Sequence, residues 1–326
     1  MLFGGISGSS VSDTASIGSI LIPEMKKRGY PEEFAAGLTV ASSTMGMIIP
    51  PSIPIVLYAV TAQESVGRLF LGGLFPGILV GILQLLITLF LSKKNKYPRE
   101  NNSISLKIIL EMTIKNSYIL FMPIFVVGSV ILGIATATES AALGVFYALF
   151  IGFFVIKSLT LNKVYNALRS ASLTSAKIMI IIAFSKIFIW VLAFERVPDE
   201  LAEAIQSLGL QQNSMLFLFV FIILIAGTFI DVSPAILLFT PVFLPSIISL
   251  GISPILFGVI LVIGLAVGAC TPPVGNCLNV CSIITGISIG KIFKGAAPFL
   301  LANVLTLLLV IIFPEIVMWL PTIIMN

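Results

Sequence analysis

A chain of 326 residues that is 58% hydrophobic and only 10% charged, with a mean hydropathy of +1.15, lies far from the roughly 25% charged and 45–50% apolar make-up of soluble domains. Its solvent is a lipid bilayer, and the length allows about ten crossings of roughly 20 residues each. The formal charge of +4 comes from basic residues dispersed in short loops beside apolar runs, so it speaks for membrane orientation and against nucleic acid.

In chain order, the opening "MLFGGISGSS" lacks a basic n-region, a long apolar h-region and a small-residue cleavage site, and does not read as a signal peptide. Apolar segments follow near 11–22, 34–62, 67–91, 117–134 and 139–156, then near 176–194, 214–226, 234–250, 254–284 and 295–324. The stretch 158–176 alternates basic, hydroxyl and apolar residues and predicts a helix lying in the membrane interface. With the Lys26, Lys27 and Arg28 loop cytoplasmic and 214–250 read as a re-entrant hairpin, fifteen of the eighteen basic residues, including Lys93, Lys94, Lys96, Arg99 and Lys107, fall inside. Glu195, Asp199, Glu200 and Glu203 fall outside. This is the positive-inside pattern.

An internal repeat supports the hairpin. Asp13 and Pro23 are ten residues apart, as are Asp231 and Pro241; Gly46 precedes Pro50-Pro51 by four, and Gly268 precedes Pro272-Pro273 by the same four. From aspartate to proline pair the separations are 37 and 41 residues, so a loop must absorb a difference of four. In the threading the two units have opposite orientation. The fold class expected is thus an all-α integral membrane protein with inverted repeats, re-entrant hairpins and broken helices, the signature of secondary transporters with midplane sites.

The breaks carry the candidate chemistry. A proline pair removes two backbone donors and disfavours helix in the residue before it, so residues 48–53 should be an unwound link between half-helices. The freed carbonyls, with hydroxyls of Ser42, Ser43, Thr44 and Ser52, are hard oxygen donors of the kind a dehydrated sodium ion takes. Gly46 allows a neighbour to approach. The counterpart "GACTPPVGNCLN" offers Thr271, Asn276 and Asn279 around its own break. A proline-kinked helix whose carbonyls are tied by neighbouring helices is the structural alternative.

At the hairpin tips, "SVSD" (Ser10 to Asp13) and "TFID" (Thr228 to Asp231) have the form of capping boxes, each starting a half-helix whose exposed amides face the middle of the protein. Asp13 and Asp231 are read mainly as caps, while Ser7, Gly8, Ser9 and Ser10 are small, polar and placed to bind ion or substrate. Glu139 in "TATESAA" reads as a helix cap, and Lys186 in "AFSKIFIW" sits near the middle of a crossing with no partner named by the sequence. Cys270, Cys277 and Cys281 share one helix face, but with no histidine and no fourth thiolate they read as small apolar filler rather than a metal site.

The runs "GGISGSSVSDTASIGSILIPEMKKRGY", "ASSTMGMIIPPSIPIVLYA", "GTFIDVSPAILLFTPVFLP" and "TPPVGNCLNV", in this order, resemble the large membrane (permease) subunit of TRAP (tripartite ATP-independent periplasmic) transporters, the DctM-like type. The resemblance implies an elevator: residues 1–62 as first hairpin and broken helix, 63–207 as scaffold and interfacial arm, 208–285 as second hairpin and broken helix, and 286–326 as a C-terminal scaffold helix. It implies sodium-coupled import of a carboxylate, a C4-dicarboxylate or sialic acid, across the bacterial inner membrane, with a small membrane subunit and a periplasmic binding protein as partners. Sodium is the only ion called for, and no cofactor. The family's site maps to Ser7, Gly8, Ser9 and Ser10; Ser42, Ser43, Thr44, Gly46, Pro50, Pro51 and Ser52; Asp231, Ser233 and Thr240; and Gly268, Thr271, Pro272, Pro273, Gly275, Asn276 and Asn279. Family members begin with further transmembrane segments before this first hairpin, so an N-terminally truncated or mis-started subunit is expected.

Other classes fit less well. An H-E-x-x-H protease needs histidine, of which there is none, and the G-x-G-D form of a paired-aspartate protease is absent, so an enzyme is not expected. A channel tolerates broken helices, yet no filter-like run of carbonyls is present. A sodium-dicarboxylate symporter working without a binding protein, and a non-transporting remnant, are the alternatives kept.

Overall fold

The computed structural model describes residues 7–98, 106–198, 200, 203 and 212–325, and their regular structure is helical. In chain order the helices are α1 (Ser10–Lys27), α2 (Glu32–Ser43), α3 (Met45–Ile48), α4 (Ile53–Ala62), α5 (Val66–Lys94), α6 (Leu106–Lys115), α7 (Ser117–Ile131), α8 (Ala137–Phe150), α9 (Leu161–Phe194), α10 (Gln212–Gly227), α11 (Val232–Ser249), α12 (Pro254–Gly268), α13 (Asn276–Thr285), α14 (Ile289–Ile312) and α15 (Glu315–Ile324). Among the described residues six helical spans, α2 through α4 counted as one, are long and apolar enough to cross a membrane. Arg99, Asp199 and residues 1–6 lie outside the described residues.

Local signals explain most boundaries. Ser65 opens α5 by accepting from the Arg68 N–H, Pro254 sits at the first turn of α12, and Gly286 closes α13 in the left-handed region. Thr136 and Glu139 form a reciprocal capping box at α8, as expected for Glu139. Two expectations are corrected. The stretch 158–176 is not a separate interfacial helix but the first half of α9, because no proline or glycine interrupts residues 161–194. The last apolar run is split at Phe313-Pro314 into α14 and α15, proline disfavouring helix in the residue before it.

The chain divides into two compact units, Met1–Pro98 with Ile189–Asn326, and Arg99–Phe188. Within the second, α7 and α8 pair through the hydroxyls of Ser129 and Ser140, 2.7 Å apart, and through a bond from the Tyr147 hydroxyl to the Tyr118 carbonyl at 2.8 Å. Lys186 lies on an exposed face of α9.

The first unit is built around α12, in which every residue from Ile255 to Gly268 is buried. In a bilayer, apolar burial does little to bring helices together because lipid is equally apolar; close backbone approach and interhelical hydrogen bonds do more. Glycine supplies the approach: a Cβ on Gly37 of α2 would lie 2.2 Å from the backbone of Gly295 in α14, and one on Gly268 would lie 2.5 Å from Gly227. Tyr58 is fully buried in α4 with its hydroxyl bonded to the Pro254 carbonyl at 2.6 Å.

The repeat is real, but its register differs from the one read off the aspartates. A single offset of 222 residues relates Ser9 to Asp231, Pro23 to Pro245, Gly29 to Gly251, Gly46 to Gly268, both proline pairs, Gly73 to Gly295 and Pro76 to Pro298. Ser9 and Asp231 are both helix N-caps, and Gly29 and Gly251 both have positive φ, 85° and 72°. In this register Asp13 is matched by Ala235, and no loop has to absorb a difference. The two repeats, both within the first compact unit, then pack reciprocally, α1 against α13 and α11 against α4.

Candidate functional site

Each hairpin tip is tied by its backbone to the break of its own unit. The Gly8 carbonyl accepts from the Ile53 N–H at 3.2 Å, and the Thr228 carbonyl accepts from the Val274 N–H at 3.1 Å. Gly8 turns the chain with φ +65°, and a Cβ there would meet the Pro51 carbonyl oxygen at 3.0 Å, so this tight approach requires glycine.

The first tip does not form the expected capping box. Ser9, not Ser10, caps α1 by accepting from the Ser12 N–H, which places Asp13 one turn inside the helix, 2% exposed. There it accepts a hydrogen bond from the Ser7 hydroxyl, which also accepts from the Ser9 N–H at 3.2 Å. The second tip also departs from the box: Asp231 is itself the cap, its Oδ1 accepting from the Val232 N–H at 2.9 Å, while Thr228 donates to the Ile225 carbonyl. At the first tip the adjacent Ser9 and Ser10 are equivalent cap residues, and at the second aspartate caps at least as well as threonine, so sequence alone did not fix the choice.

At the first break α2, the single turn α3 and α4 replace one continuous helix. Prolines at 50 and 51 supply no N–H to the carbonyls of Gly46 and Met47. The Ser52 hydroxyl takes the Met47 carbonyl and accepts from the Ile55 N–H, capping α4. At the second break the corresponding carbonyls of Gly268 and Ala269 accept from the Thr271 and Cys277 N–H groups at 2.9 and 3.1 Å. The expectation that the proline pairs leave their carbonyls open is therefore corrected: three of the four are recaptured from within the chain, and Gly46 is the one that residue 50 leaves without its helical donor.

The hydroxyls around the first break all point their protons at backbone oxygens. Ser42 donates to Thr39, Ser43 to Val40 at 2.7 Å and Thr44 to Ala41 at 2.6 Å. A hydroxyl so placed presents lone pairs outward, the state in which it can accept from a neighbour or hold a cation. Ser43 accepts from Thr14 and Thr44 from Asn303. Around the second break Asn276 donates to Asp231 Oδ1 at 2.9 Å, Asn279 donates to the Val274 carbonyl at 2.8 Å and Thr271 to Val267 at 2.7 Å, while Gly275 (φ +51°) caps α13.

The two half-sites meet at Ser10. Its hydroxyl lies 3.4 Å from Met47 Sδ of the first break and accepts from Cys277 Sγ of the second at 3.2 Å. Cys277 was thus undervalued as filler, although all three cysteines are free and buried. The 222-residue register, once seen, puts Cys277 after the second break where the first has Ile55, and that polar-for-apolar exchange is the signal for it. Thr240, nine residues beyond Asp231 on the same helix and so about 13 Å along the axis from the tip, is fully buried, its hydroxyl without a partner among the described residues. Ser233 is half-buried in the first turn of α11.

Comparison with known proteins places this geometry in a family. Residues 1–316 match the model of the tripartite ATP-independent periplasmic transporter DctM component. The chain belongs to the DctM family. It is 36% identical over 319 residues to the isethionate TRAP transporter permease protein DctMQ of Oleidesulfovibrio alaskensis, covering 98% of this chain and 50% of that protein. It is 35% identical over 321 residues to the C4-dicarboxylate TRAP transporter large permease protein of Pseudomonas aeruginosa, and 33% identical over 324 to the sialic acid TRAP transporter large permease protein of Vibrio cholerae; each match covers 98% of this chain and 75% of the relative. The chain thus spans half the length of the first relative and three quarters of the other two. Like other DctM proteins it is a multi-pass protein of the bacterial inner membrane, and its relatives are transporter subunits, not enzymes.

Proposed function

We propose that this DctM chain forms the permease core of a secondary transporter that couples sodium entry to import of a carboxylate solute, with a small membrane subunit and a periplasmic binding protein completing the complex. The observation that carries the reading is the pair of matched half-sites. Two capped tips and two proline breaks, related by one 222-residue register, are each joined by a backbone bond and converge at Ser10. Capped helix starts offer backbone N–H groups and a positive dipole end to a carboxylate, and the outward lone pairs of Ser42, with the Gly46 carbonyl, offer hard oxygen to sodium. The relatives named for isethionate, C4-dicarboxylates and sialic acid share an anionic substrate, which fits that polarity. Alternating access then moves the tips and breaks, residues 1–62 and 208–285, against the remaining helices as an elevator.

The test is uptake by the complete transporter in vesicles. Import of a labelled C4-dicarboxylate or sialic acid should follow an imposed sodium gradient, and a proton gradient alone should not replace it, since no histidine relay exists in the chain. Equal uptake in sodium-free vesicles with a pH gradient would refute the coupling. Uptake without the binding protein would favour a symporter that works alone.

A further inference from the structure

Lys186 is the one charge in a run of seventeen residues, 178–194, and stands at its centre, eight residues from either end. The run is the second half of α9, flanked by Lys177 and Glu195, so about 13 Å of helix separates the lysine from each flanking charge. That is longer than a lysine side chain, and the ammonium cannot reach either interface by snorkelling. Charge at such depth is costly, and in membrane proteins it is almost always paired or turned to a water-filled cavity. Among the described residues Lys186 has neither hydrogen bond nor ion pair, and it is exposed. The intramembrane carboxylates of the chain are engaged elsewhere: Asp13 accepts from Ser7 and Asp231 from Asn276, each at its own hairpin tip.

Of the six membrane-length spans, α9 is the least covered by the chain, with 6% of its most apolar stretch buried. What cover it has falls on one stripe: Ser185 is buried, and Ile178, Ile182, Ile189 and Leu192 are half-buried. Lys186 belongs to a different stripe. Ala176, Met179, Ala183, Lys186, Trp190 and Ala193 are all exposed and follow one another at intervals of three and four, the spacing of a helix–helix seam. The alanines in it let a second helix come close, and close approach with polar contacts is what brings helices together in lipid. A second copy of this chain is a poor occupant, because a two-fold seam would set Lys186 against its own counterpart. A helix with a carboxylate at the same depth fits, since opposite charges attract far more strongly in hydrocarbon than in water.

We propose that this stripe of α9 is the docking seam for a transmembrane helix of a different chain, the small membrane subunit, which carries an aspartate or glutamate opposite Lys186. The assignment rests on the transport reading, which supplies that subunit, but it is testable without any solute.

The test is site-specific photo-cross-linking of the complete transporter in its native membrane. With the photoreactive amino acid p-benzoylphenylalanine in place of Trp190, illumination should join this chain to the small subunit. The same amino acid in place of Phe188, about 200° around the helix, should not. K186R should keep the adduct, whereas K186E should reduce its yield by about tenfold or more, because like charges then meet in a medium of low dielectric. Replacing by lysine the carboxylate nearest the cross-linked peptide of the small subunit should restore the yield in the K186E background, a recovery that a merely structural lysine would not show. Should K186E not yield folded protein, K186M, uncharged and of similar length, carries this arm with a loss in the same direction. An adduct between two copies of this chain, an adduct with lipid alone, equal yields from residues 188 and 190, or an unchanged yield in folded K186E would each overturn the seam. A complex that cross-links as expected but imports no carboxylate would refute the transport reading and leave the seam standing.

Discussion

Ser9 and Asp231 occupy the same place in two copies of one unit: each caps the helix that leaves a hairpin tip, and each stands 41 residues ahead of the first proline of its break, Pro50 or Pro272. Only the second of these caps carries a charge, and it also receives the Asn276 amide from its own break. The two half-sites are alike in backbone and unlike in side chains.

That asymmetry gives a test at residue 231. Asp231→Asn keeps a good cap, so stability should hardly change, whereas Asp231→Ala should cost about 1 kcal/mol. If the carboxylate only caps, sodium response and uptake will follow stability and Asn will behave as wild type. If its charge serves the ion, Asn will lose response while keeping its melting temperature, a split readable in one thermal series with and without sodium.

Gly8 combines positive φ with the 3.0 Å approach to the Pro51 carbonyl oxygen. Gly8→Ala should therefore destabilise by roughly 1–2 kcal/mol from backbone handedness alone and loosen the bond to Ile53. Gly290, whose Cβ would meet nothing within 4 Å, is the control, and Gly290→Ala should be neutral within about 0.5 kcal/mol. Equal effects at both positions in a denaturation series would mean that the tip is not held as described.

Orientation can be read at a register pair. Lys27 and Ser249 are related by the 222-residue offset, and both are exposed near the ends of their helices, α1 and α11. With the native cysteines replaced, Ser249→Cys should react with an impermeant thiol reagent from the periplasm and Lys27→Cys should not, because inverted units open to opposite faces. Labelling of both from one side would make the repeat parallel.

Much of this was legible in the sequence, for identifiable reasons. Long apolar runs, proline pairs and the basic-loop pattern are dictated by the bilayer, so the helices, hairpins and breaks could be read directly. The register could not be read from Asp13 and Asp231, because serine and aspartate cap helices equally well and like was matched with like where the fold matches unlike. The carbonyls of Met47, Gly268 and Ala269 were expected to be open, but their recapture depends on Ser52, Thr271 and Cys277, whose reach is a matter of three-dimensional geometry.

The first break is where the account is most exposed. Replacing Pro50 and Pro51 by alanine returns an N–H to the Gly46 carbonyl and favours helix by about 3 kcal/mol per proline removed. Replacing Pro272 and Pro273 should matter less to the ion, since Gly268 and Ala269 already have donors. The decisive measurement is the melting temperature of the purified complex against sodium concentration at fixed ionic strength, because an ion bound to the folded state raises it by mass action. A sodium response nearly lost in P50A/P51A and largely kept in P272A/P273A is the expected result. A P50A/P51A variant that responds to sodium as the parent does would contradict an ion site at the first break.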